Sequence, residues 1–179
     1  MKAAEIYTLF VDLDGVMADL DRFCLENLGH TFSEDKKVEN AVWAGLNRMQ
    51  DQGRKTFAVL PLMADAMELW GAIQPFRPHI LTATGDRYQQ VAQEKRDWVR
   101  RHLPNHGDII TVQSSRDKAQ HAAATHVLID DRMKSIGPWR EAGGIGILHV
   151  NAQTTLDQLR SLGIDFDSGR TNNEEPQDE

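Results

Sequence analysis

The sequence of 179 residues contains one cysteine and no long apolar run. Because an internal disulfide needs two cysteines, Cys24 alone excludes one, and chains without disulfides are typical of a reducing compartment. No window approaches the apolar length of about 18 residues or more that a membrane-spanning helix needs. Residues 1–7, MKAAEIY, also lack the apolar core of a secretory signal peptide. We therefore expect a cytoplasmic protein with no membrane partner.

Positive charge is scarce as well. The chain has 20 Lys and Arg against 27 Asp and Glu, which gives a formal net charge of −7 at pH 7. Six of the acids lie in residues 165–179, and the polar segment 168–179 is predicted to be a disordered acidic tail. A basic stripe for duplex nucleic acid is missing. The one basic cluster, residues 96–102, is more typical of a solvated helix face.

Short apolar runs alternate with helical patterns along most of the chain. Continuous apolar runs predict strands that are covered on both faces, and strand–helix alternation predicts an open parallel sheet. The expected fold class is therefore α/β, a Rossmann-like three-layer sandwich. The predicted strands cover residues 6–11, 79–82, 108–112, 126–130 and 145–150, and the predicted helices cover 65–73, 86–103, 117–124, 135–142 and 154–162.

The alternation is interrupted between residues 18 and 60. This segment has two helical patterns, at 18–28 and 39–49, and no convincing strand. We interpret it as a small helical cap inserted after strand 1 into a core of residues 1–17 and 61–167. Such a cap would lie over the carboxyl ends of the strands, where open α/β sheets bind ligands.

Charged and hydroxyl side chains follow several predicted strands. Asp12 and Asp14 follow the first, Thr82 ends the second, Lys118 precedes the next helix, and residues 130–131 are a pair of aspartates. In a parallel sheet all of these residues lie at the same edge, so we expect them to share one crevice. Residues two apart in an extended segment point to the same side, at roughly 6–7 Å along the chain.

These residue types favour phosphoryl transfer. The three acids Asp12, Asp130 and Asp131 repel one another unless a cation binds among them, and carboxylates with a carbonyl and waters are ligands typical of Mg²⁺. A hard cation beside a lysine and a hydroxyl suits a phosphate group. One carboxylate can then attack phosphorus while its neighbour acts as acid and base.

Four segments of the chain resemble the motifs of the haloacid dehalogenase (HAD) superfamily of phosphotransferases. They occur in the family's order over residues 6–150: VDLDGV at 11–16, ILTAT at 80–84, SSRDKA at 114–119 and VLIDDR at 127–132. The resemblance implies that Asp12 is the nucleophile and Asp14 the general acid and base.

The same resemblance assigns the remaining motif residues. Asp12, the backbone carbonyl of Asp14 and Asp130 would hold Mg²⁺, while Asp131 would orient a metal-bound water. Lys118 and two further groups, the side chain of Thr82 and the backbone N–H of Ala83, would bind the transferring phosphoryl group. Simpler roles stay open for some of them, since Asp131 could cap a helix and Thr82 could be an ordinary strand-end hydroxyl.

Softer motifs indicate a branch of this superfamily. Val16 after DLDG, together with residues 61–70 and 128–149, resembles the 5′(3′)-deoxyribonucleotidases and their phage and bacterial relatives. These enzymes dephosphorylate nucleoside monophosphates beneath a small helical cap. The resemblance implies that this chain is a Mg²⁺-dependent phosphatase whose partner is a small phosphate monoester, with a nucleotide as the expected substrate.

Residues of the predicted cap are candidates for contact with a nucleotide base. An aromatic side chain could stack on the base, and Phe32, Trp43 and Phe57 are available for this role. Asn47 and Arg48 could contact the edges of the base. Each of these residues could instead belong to the interior or surface of the cap helices.

Two alternative functions stay open. A small cap leaves room for the end of a polynucleotide, which would make the protein a 3′-end phosphatase, although the missing basic groove argues against it. A non-catalytic nucleotide-binding protein could also use this fold, but the complete set of Asp, Thr and Lys residues argues against lost activity. The sequence does not indicate the preferred base or sugar, or the oligomeric state.

Overall fold

A computed structural model describes residues 7–33 and 35–166. Ile6 of the first predicted strand and the predicted disordered tail, 168–179, lie outside the described residues. Short 3-10 helices occur at Thr56–Ala58, Gln74–Phe76 and Ser115–His121. The strands and α-helices are, in chain order, β1 (Thr8–Val11), α1 (Leu20–Leu28), α2 (Lys36–Asp51), α3 (Ala66–Ile73), β2 (His79–Ala83), α4 (Gln90–His102), β3 (Ile109–Val112), β4 (His126–Asp130), α5 (Met133–Glu141), β5 (Ile145–Leu148) and α6 (Ala152–Ser161).

The five strands form one parallel sheet in the order β3-β2-β1-β4-β5. Strand β1 is central, and Val11 pairs with Ile80 of β2 on one side and with Ile129 of β4 on the other. The predicted parallel α/β fold is confirmed. Because β1 and β4 are neighbours, the residues that follow them meet at the middle of the carboxyl edge.

Both faces of the sheet are covered by apolar side chains. In β1, Leu9 and Val11 belong to the larger core cluster, to which α3, α4 and α6 contribute, while Phe10 belongs to a smaller cluster with α5. Trp98 of α4 and Trp139 of α5 are fully buried on their respective sides. This double coverage explains why the strands are continuous apolar runs rather than alternating ones.

Several helix boundaries differ from the predicted ones by a few residues, and one predicted helix is of another type. Helix α4 begins at Gln90, four residues after the predicted start. The helix predicted over 117–124 is a 3-10 helix at Ser115–His121, because Ser114 and Asp117 form a reciprocal capping box that starts it earlier. The backbone at Ala122 is extended, so the chain straightens before β4.

The segment 18–60, which we call the insertion, contains α1, α2 and the first 3-10 helix. Its two connections to the sheet lie side by side: the N–H of Asp19 donates to the carbonyl of Pro61 at 2.8 Å, and the N–H of Met63 donates to the carbonyl of Met17 at 2.9 Å. Within the described ranges, no helix has the length and apolar character needed to span a bilayer.

Helix α4 fixes the returning end of this insertion. The indole N–H of Trp98 donates to the carbonyl of Leu60 at 2.8 Å, and the Arg101 guanidinium donates to the carbonyl of Ala58 at 2.9 Å. Side chains of α4 therefore satisfy backbone carbonyls at the end of the first 3-10 helix and in the turn that follows it, as buried backbone groups require.

Candidate active site

Two strand ends and one lysine form a buried ion cluster at the carboxyl edge of the sheet. Lys118 Nζ lies 2.7 Å from Asp12 Oδ1 and 2.6 Å from Asp130 Oδ2, and the Lys118 side chain is 1% exposed. Burial by itself lowers the pKa of Lys118, but the charges and hydrogen bonds of the two aspartates outweigh it and raise that pKa overall. The lysine is therefore fully charged at neutral pH.

Asp131 adds a third carboxylate to this cluster. Asp12, Asp130 and Asp131 each offer one oxygen, and the three oxygens lie within 4.8 Å of one another. Although Asp131 as a residue is exposed, its carboxyl is crowded against Gly15, where a β-carbon would overlap it. Reduced hydration there, followed by the charges of Asp12 and Asp130, raises the pKa of Asp131 to about 7.

The charges of this cluster do not balance. Three carboxylates face one ammonium group, and the carboxylates supply hard oxygen donors at close spacing. Burial, and then repulsion from Asp12, also raises the pKa of Asp130. A divalent cation that prefers oxygen ligands would relieve this repulsion, so the residues present fit Mg²⁺.

A second buried lysine holds Asp14. Lys95, on α4, is 1% exposed, and its Nζ donates to Asp14 Oδ2 at 2.5 Å, to the carbonyl of Ala83 at 2.7 Å and to the hydroxyl of Thr82 at 3.1 Å. The other carboxylate oxygen of Asp14 is buried and has no hydrogen-bond partner among the described residues. One oxygen of Asp14 is thus fixed by Lys95, while the other has an unused capacity to accept a hydrogen bond.

Sequence reasoning missed Lys95. A signal was present, since Val91, Lys95, Trp98 and Val99 share the buried stripe of α4. A lysine on an apolar helix face needs a partner, because an isolated buried ammonium is costly. Which carboxylate serves as that partner follows only from the three-dimensional fold.

At the carboxyl end of β2 one residue contacts Lys95 beneath the site, and the next three residues line the cavity. Thr82 is fully buried beneath the site and accepts from Lys95, and a hydroxyl that accepts can still donate its own proton. Ala83, Thr84 and Gly85 line the cavity above it. Assignment of Thr82, Ala83 and Lys118 to a phosphoryl group stays a prediction.

A cavity of about 490 Å³ opens above the carboxylates. Its floor includes Asp12, Asp14 and Lys118, and the helical insertion supplies aromatic side chains to its walls. Two of these form an edge-to-face pair, since the Phe32 and Trp43 rings have centroids 5.0 Å apart at an interplanar angle of 61°. The aromatic residues that line the cavity are Phe32, Trp43 and Phe57.

Asn47 and Arg48 are not among the residues that line this cavity in the described part of the chain, and their contact with a base stays a prediction. Helix α2 contributes Glu39 and Trp43 to the lining and then runs away from it. One turn beyond Trp43, the carbonyl of Asn47 accepts from the Tyr88 hydroxyl at 3.2 Å, where α2 meets the segment before α4. Arg48 is exposed on another face of the helix.

Charged residues of both signs surround the mouth of the cavity. Asp19, Asp21 and Glu39 come from the insertion, whereas Arg132 and Lys134 come from the start of α5. A hydrogen bond from Lys36, followed by the charges of Lys36, Arg132 and Lys134, lowers the pKa of Glu39. The side contributed by the insertion is therefore anionic at neutral pH.

Comparison with protein families gives a match over most of the chain. The sequence model of the family described as 5′ nucleotidase, deoxy (pyrimidine), cytosolic type C protein matches residues 5–161, which is most of the chain. No curated protein matches the chain with significant sequence similarity.

Several solved structures share the fold at low sequence identity. A hydrolase from Streptococcus pneumoniae TIGR4 has a TM-score of 0.53 at 13% identity, with 89% of this chain and 100% of that chain covered. The L-2-haloacid dehalogenase from Xanthobacter autotrophicus has a TM-score of 0.51 at 12% identity, covering 94% and 89%. A putative β-phosphoglucomutase from Thermotoga maritima has a TM-score of 0.50 at 15% identity, covering 87% and 99%. At these identities the similarity concerns the fold.

Proposed function

The chain belongs to the family of cytosolic type C 5′ nucleotidases, within the HAD-like phosphatases, and on that basis we propose that it hydrolyses nucleoside monophosphates through an aspartyl-phosphate on Asp12. One observation carries this proposal: Asp12, Asp14 and Lys118 share the floor of a single cavity whose walls are aromatic. The floor has the groups that phosphoryl transfer needs, and the walls offer flat apolar surfaces that suit a base.

The reaction divides into two balanced steps. Lys118 occupies Asp12 Oδ1, so Oδ2 attacks phosphorus, a P–O bond to Asp12 forms and the ester P–O bond breaks. The Asp14 carboxyl gives its proton to the departing ester oxygen. In the second step Asp14 takes a proton from water, the water oxygen attacks phosphorus, and the bond between phosphorus and Asp12 breaks.

The lysines and a cation balance charge during these steps. We assign Mg²⁺ to Asp12, Asp130 and the backbone carbonyl of Asp14, with Asp131 beside them. When bound, the cation neutralises phosphate charge as the ester oxygen departs. Lys118 pairs with Asp12 and orients it, and Lys95 holds Asp14 at a fixed position under the cavity.

We further assign residues 18–60 to a cap over a core of residues 1–17 and 61–167. In this assignment Trp43 and Phe32 stack on the base. A 3′-phosphorylated polynucleotide is disfavoured, because Asp19, Asp21 and Glu39 line the cavity and would repel the phosphates of a strand.

The proposal is tested by phosphate release from a panel of substrates. Nucleoside 5′- and 3′-monophosphates are expected to be hydrolysed with Mg²⁺ and not after chelation, whereas 3′-phosphorylated oligonucleotides are expected to be poor substrates. Preference for the oligonucleotides would favour an end-processing enzyme. Binding of a monophosphate, seen as a raised melting temperature, without any hydrolysis would favour a non-catalytic binding protein.

We expect Mg²⁺ to raise the melting temperature more at pH 8 than at pH 5. The pKa of Asp131 is raised to about 7 in the folded chain, so its ionisation reduces stability as the pH rises from about 4 through 7. A bound cation offsets that loss where the carboxylates are ionised. Asp131→Asn is expected to shrink both the pH dependence and the Mg²⁺ effect, while Asp157→Asn, on the exposed face of α6, leaves them unchanged. An equal Mg²⁺ effect at both pH values would contradict this site.

We expect Trp43→Ala to raise KM for nucleoside monophosphates about tenfold, because stacking of a base on an aromatic ring is lost. Hydrolysis of 4-nitrophenyl phosphate, which has no base, serves as the internal reference and is expected to change little. Leu25→Ala, which removes an exposed apolar side chain elsewhere in the insertion, is the matched control. A similar loss for both substrates would show that Trp43 supports the cavity rather than contacting the base.

A further inference from the structure

Glu94 is a buried carboxylate that the proposed chemistry does not use. It lies next to Lys95 on α4 but points to the insertion rather than to the cavity, and it is 5% exposed. Its Oε2 accepts from the backbone N–H of Phe57 at 2.8 Å and from Gln50 Nε2 at 3.1 Å. Glu94 has no ion-pair partner in the described part of the chain.

Phe57, whose backbone N–H donates to Glu94, also contacts the site. Phe57 is buried, its ring lines the cavity, and the ring centroid lies 5.2 Å from Lys95 Nζ. Lys95 in turn donates to Asp14. Contacts therefore run from Glu94 to the Phe57 backbone, from the Phe57 ring to Lys95, and from Lys95 to Asp14.

Two hydrogen bonds to one buried carboxylate give a rigid anchor. Glu94 accepts from the Gln50 side chain and from the Phe57 backbone, and both of these residues lie far from Glu94 in sequence. Gln50 is also buried, and its carbonyl accepts from Gln90 Nε2 at 3.1 Å, which fixes the orientation of its amide toward Glu94. The position of the Phe57 backbone is thereby set by α4.

The Phe57 ring affects how strongly Lys95 acts on Asp14. An aromatic face close to an ammonium group is attractive and excludes water, and charge–charge interactions are stronger where water is excluded. If the backbone of Phe57 relaxed, the ring would move, water would reach Lys95, and the Lys95–Asp14 pair would loosen. Small displacements of a proton-transfer group cost large factors in rate.

We propose that Glu94 is a positioning residue for the acid–base chemistry of Asp14, acting through Phe57 and Lys95. This role rests on the proposed hydrolysis of phosphate monoesters. It explains why Glu94 is buried on the side of α4 that faces the insertion. From there it positions the Phe57 ring against Lys95, the next residue of the helix.

The leaving group gives a readout that a merely structural role would not change. A nucleoside alkoxide must be protonated as the ester P–O bond breaks, whereas 4-nitrophenolate departs without a proton. We therefore expect Glu94→Ala to lower kcat for a nucleoside 5′-monophosphate about tenfold with little change in KM, whereas loss of a base contact, as in Trp43→Ala, raises KM. For 4-nitrophenyl phosphate the expected change is less than about twofold, because proton donation contributes little there.

Three further variants complete the test. Glu94→Gln keeps an oxygen acceptor for the Phe57 N–H and is expected to restore most of the nucleotide activity. Phe57→Leu keeps the backbone hydrogen bond but removes the ring, so it is expected to show the same leaving-group dependence. Trp98→Phe removes a buried hydrogen bond from α4 to the same segment, at Leu60, and is expected to lower the melting temperature without changing the ratio of the two substrates.

The outcomes separate this role from the proposed function. Suppose that the wild type shows hydrolysis that depends on Asp12, while Glu94→Ala loses activity equally on both substrates. This result would overturn the role of Glu94 and leave the proposed nucleotidase function standing. Absence of Asp12-dependent hydrolysis in the wild type would instead overturn the function. A crystal structure of Glu94→Ala gives an answer independent of turnover, because an unchanged Phe57 ring and Lys95–Asp14 distance would contradict the positioning role.

Discussion

Replacing Asp12 with Asn is expected to lower phosphate release at least about 10³-fold, because a neutral amide cannot attack phosphorus to form an acyl phosphate. The chain is expected to fold, since Lys118 keeps its ion pair with Asp130 at 2.6 Å. The measurement is steady-state phosphate release with saturating Mg²⁺. Wild-type protein quenched in acid during turnover is also expected to gain the mass of one phosphoryl group, and the variant is not.

A matched control separates this effect from a general change in charge. Asp157→Asn makes the same replacement on the exposed face of α6, where the carboxylate pairs with Arg160. It is expected to retain wild-type activity and to form the covalent intermediate. An Asp12→Asn protein that keeps half of the wild-type turnover would exclude Asp12 as the nucleophile.

The largest loss of stability is expected from Lys118→Met. The substitution leaves Asp12 and Asp130 buried side by side without their cation, and breaking a buried ion pair from one side costs about 3–5 kcal/mol. Activity is expected to fall about 10²–10³-fold, because both the orientation of Asp12 and a phosphate-binding charge are lost. Chemical denaturation and phosphate release measure the two effects.

The stability lost in Lys118→Met is expected to increase as the pH rises. The pKa of Lys118 is raised above its ordinary 10.5, so its ion pairs contribute fully at neutral pH and are lost only as the pH rises through that raised value. Without the lysine, Asp12 and Asp130 ionise against each other, so the deficit of the variant is expected to grow from pH 5 to pH 8. Lys37→Met, at the exposed start of α2, is the control, and a Lys118→Met protein as stable as the wild type at pH 8 would contradict the ion cluster.

Much of the fold and the floor of the site could be predicted from the sequence because their signals are local. Apolar runs that end in charged residues define both the strands and their carboxyl ends. Parallel order then brings Asp12, Lys118 and Asp130 together without any knowledge of packing. The resemblance to HAD phosphatases is confirmed by the family match over residues 5–161.

The rest could not be predicted, because it depends on how helices are oriented over the sheet. Lys95 lies in a helix that looks amphipathic, and only the docking of α4 under the carboxyl end of β2 brings it to Asp14. Trp43 and Asn47 are one turn apart on α2, yet the cavity ends between them. The direction of α2 is set by long-range contacts such as those of Gln50 with α4.

The adjacent connections of the insertion have an evolutionary consequence. Because the N–H of Asp19 reaches the carbonyl of Pro61, the chain departs from the sheet and returns to it at a single point. A different insertion could be joined there without disturbing the groups that break the ester bond, so recognition and chemistry can diversify separately. Phe57 limits this separation, because its contacts with Glu94 and Lys95 tie a residue of the insertion to the lysine that holds Asp14.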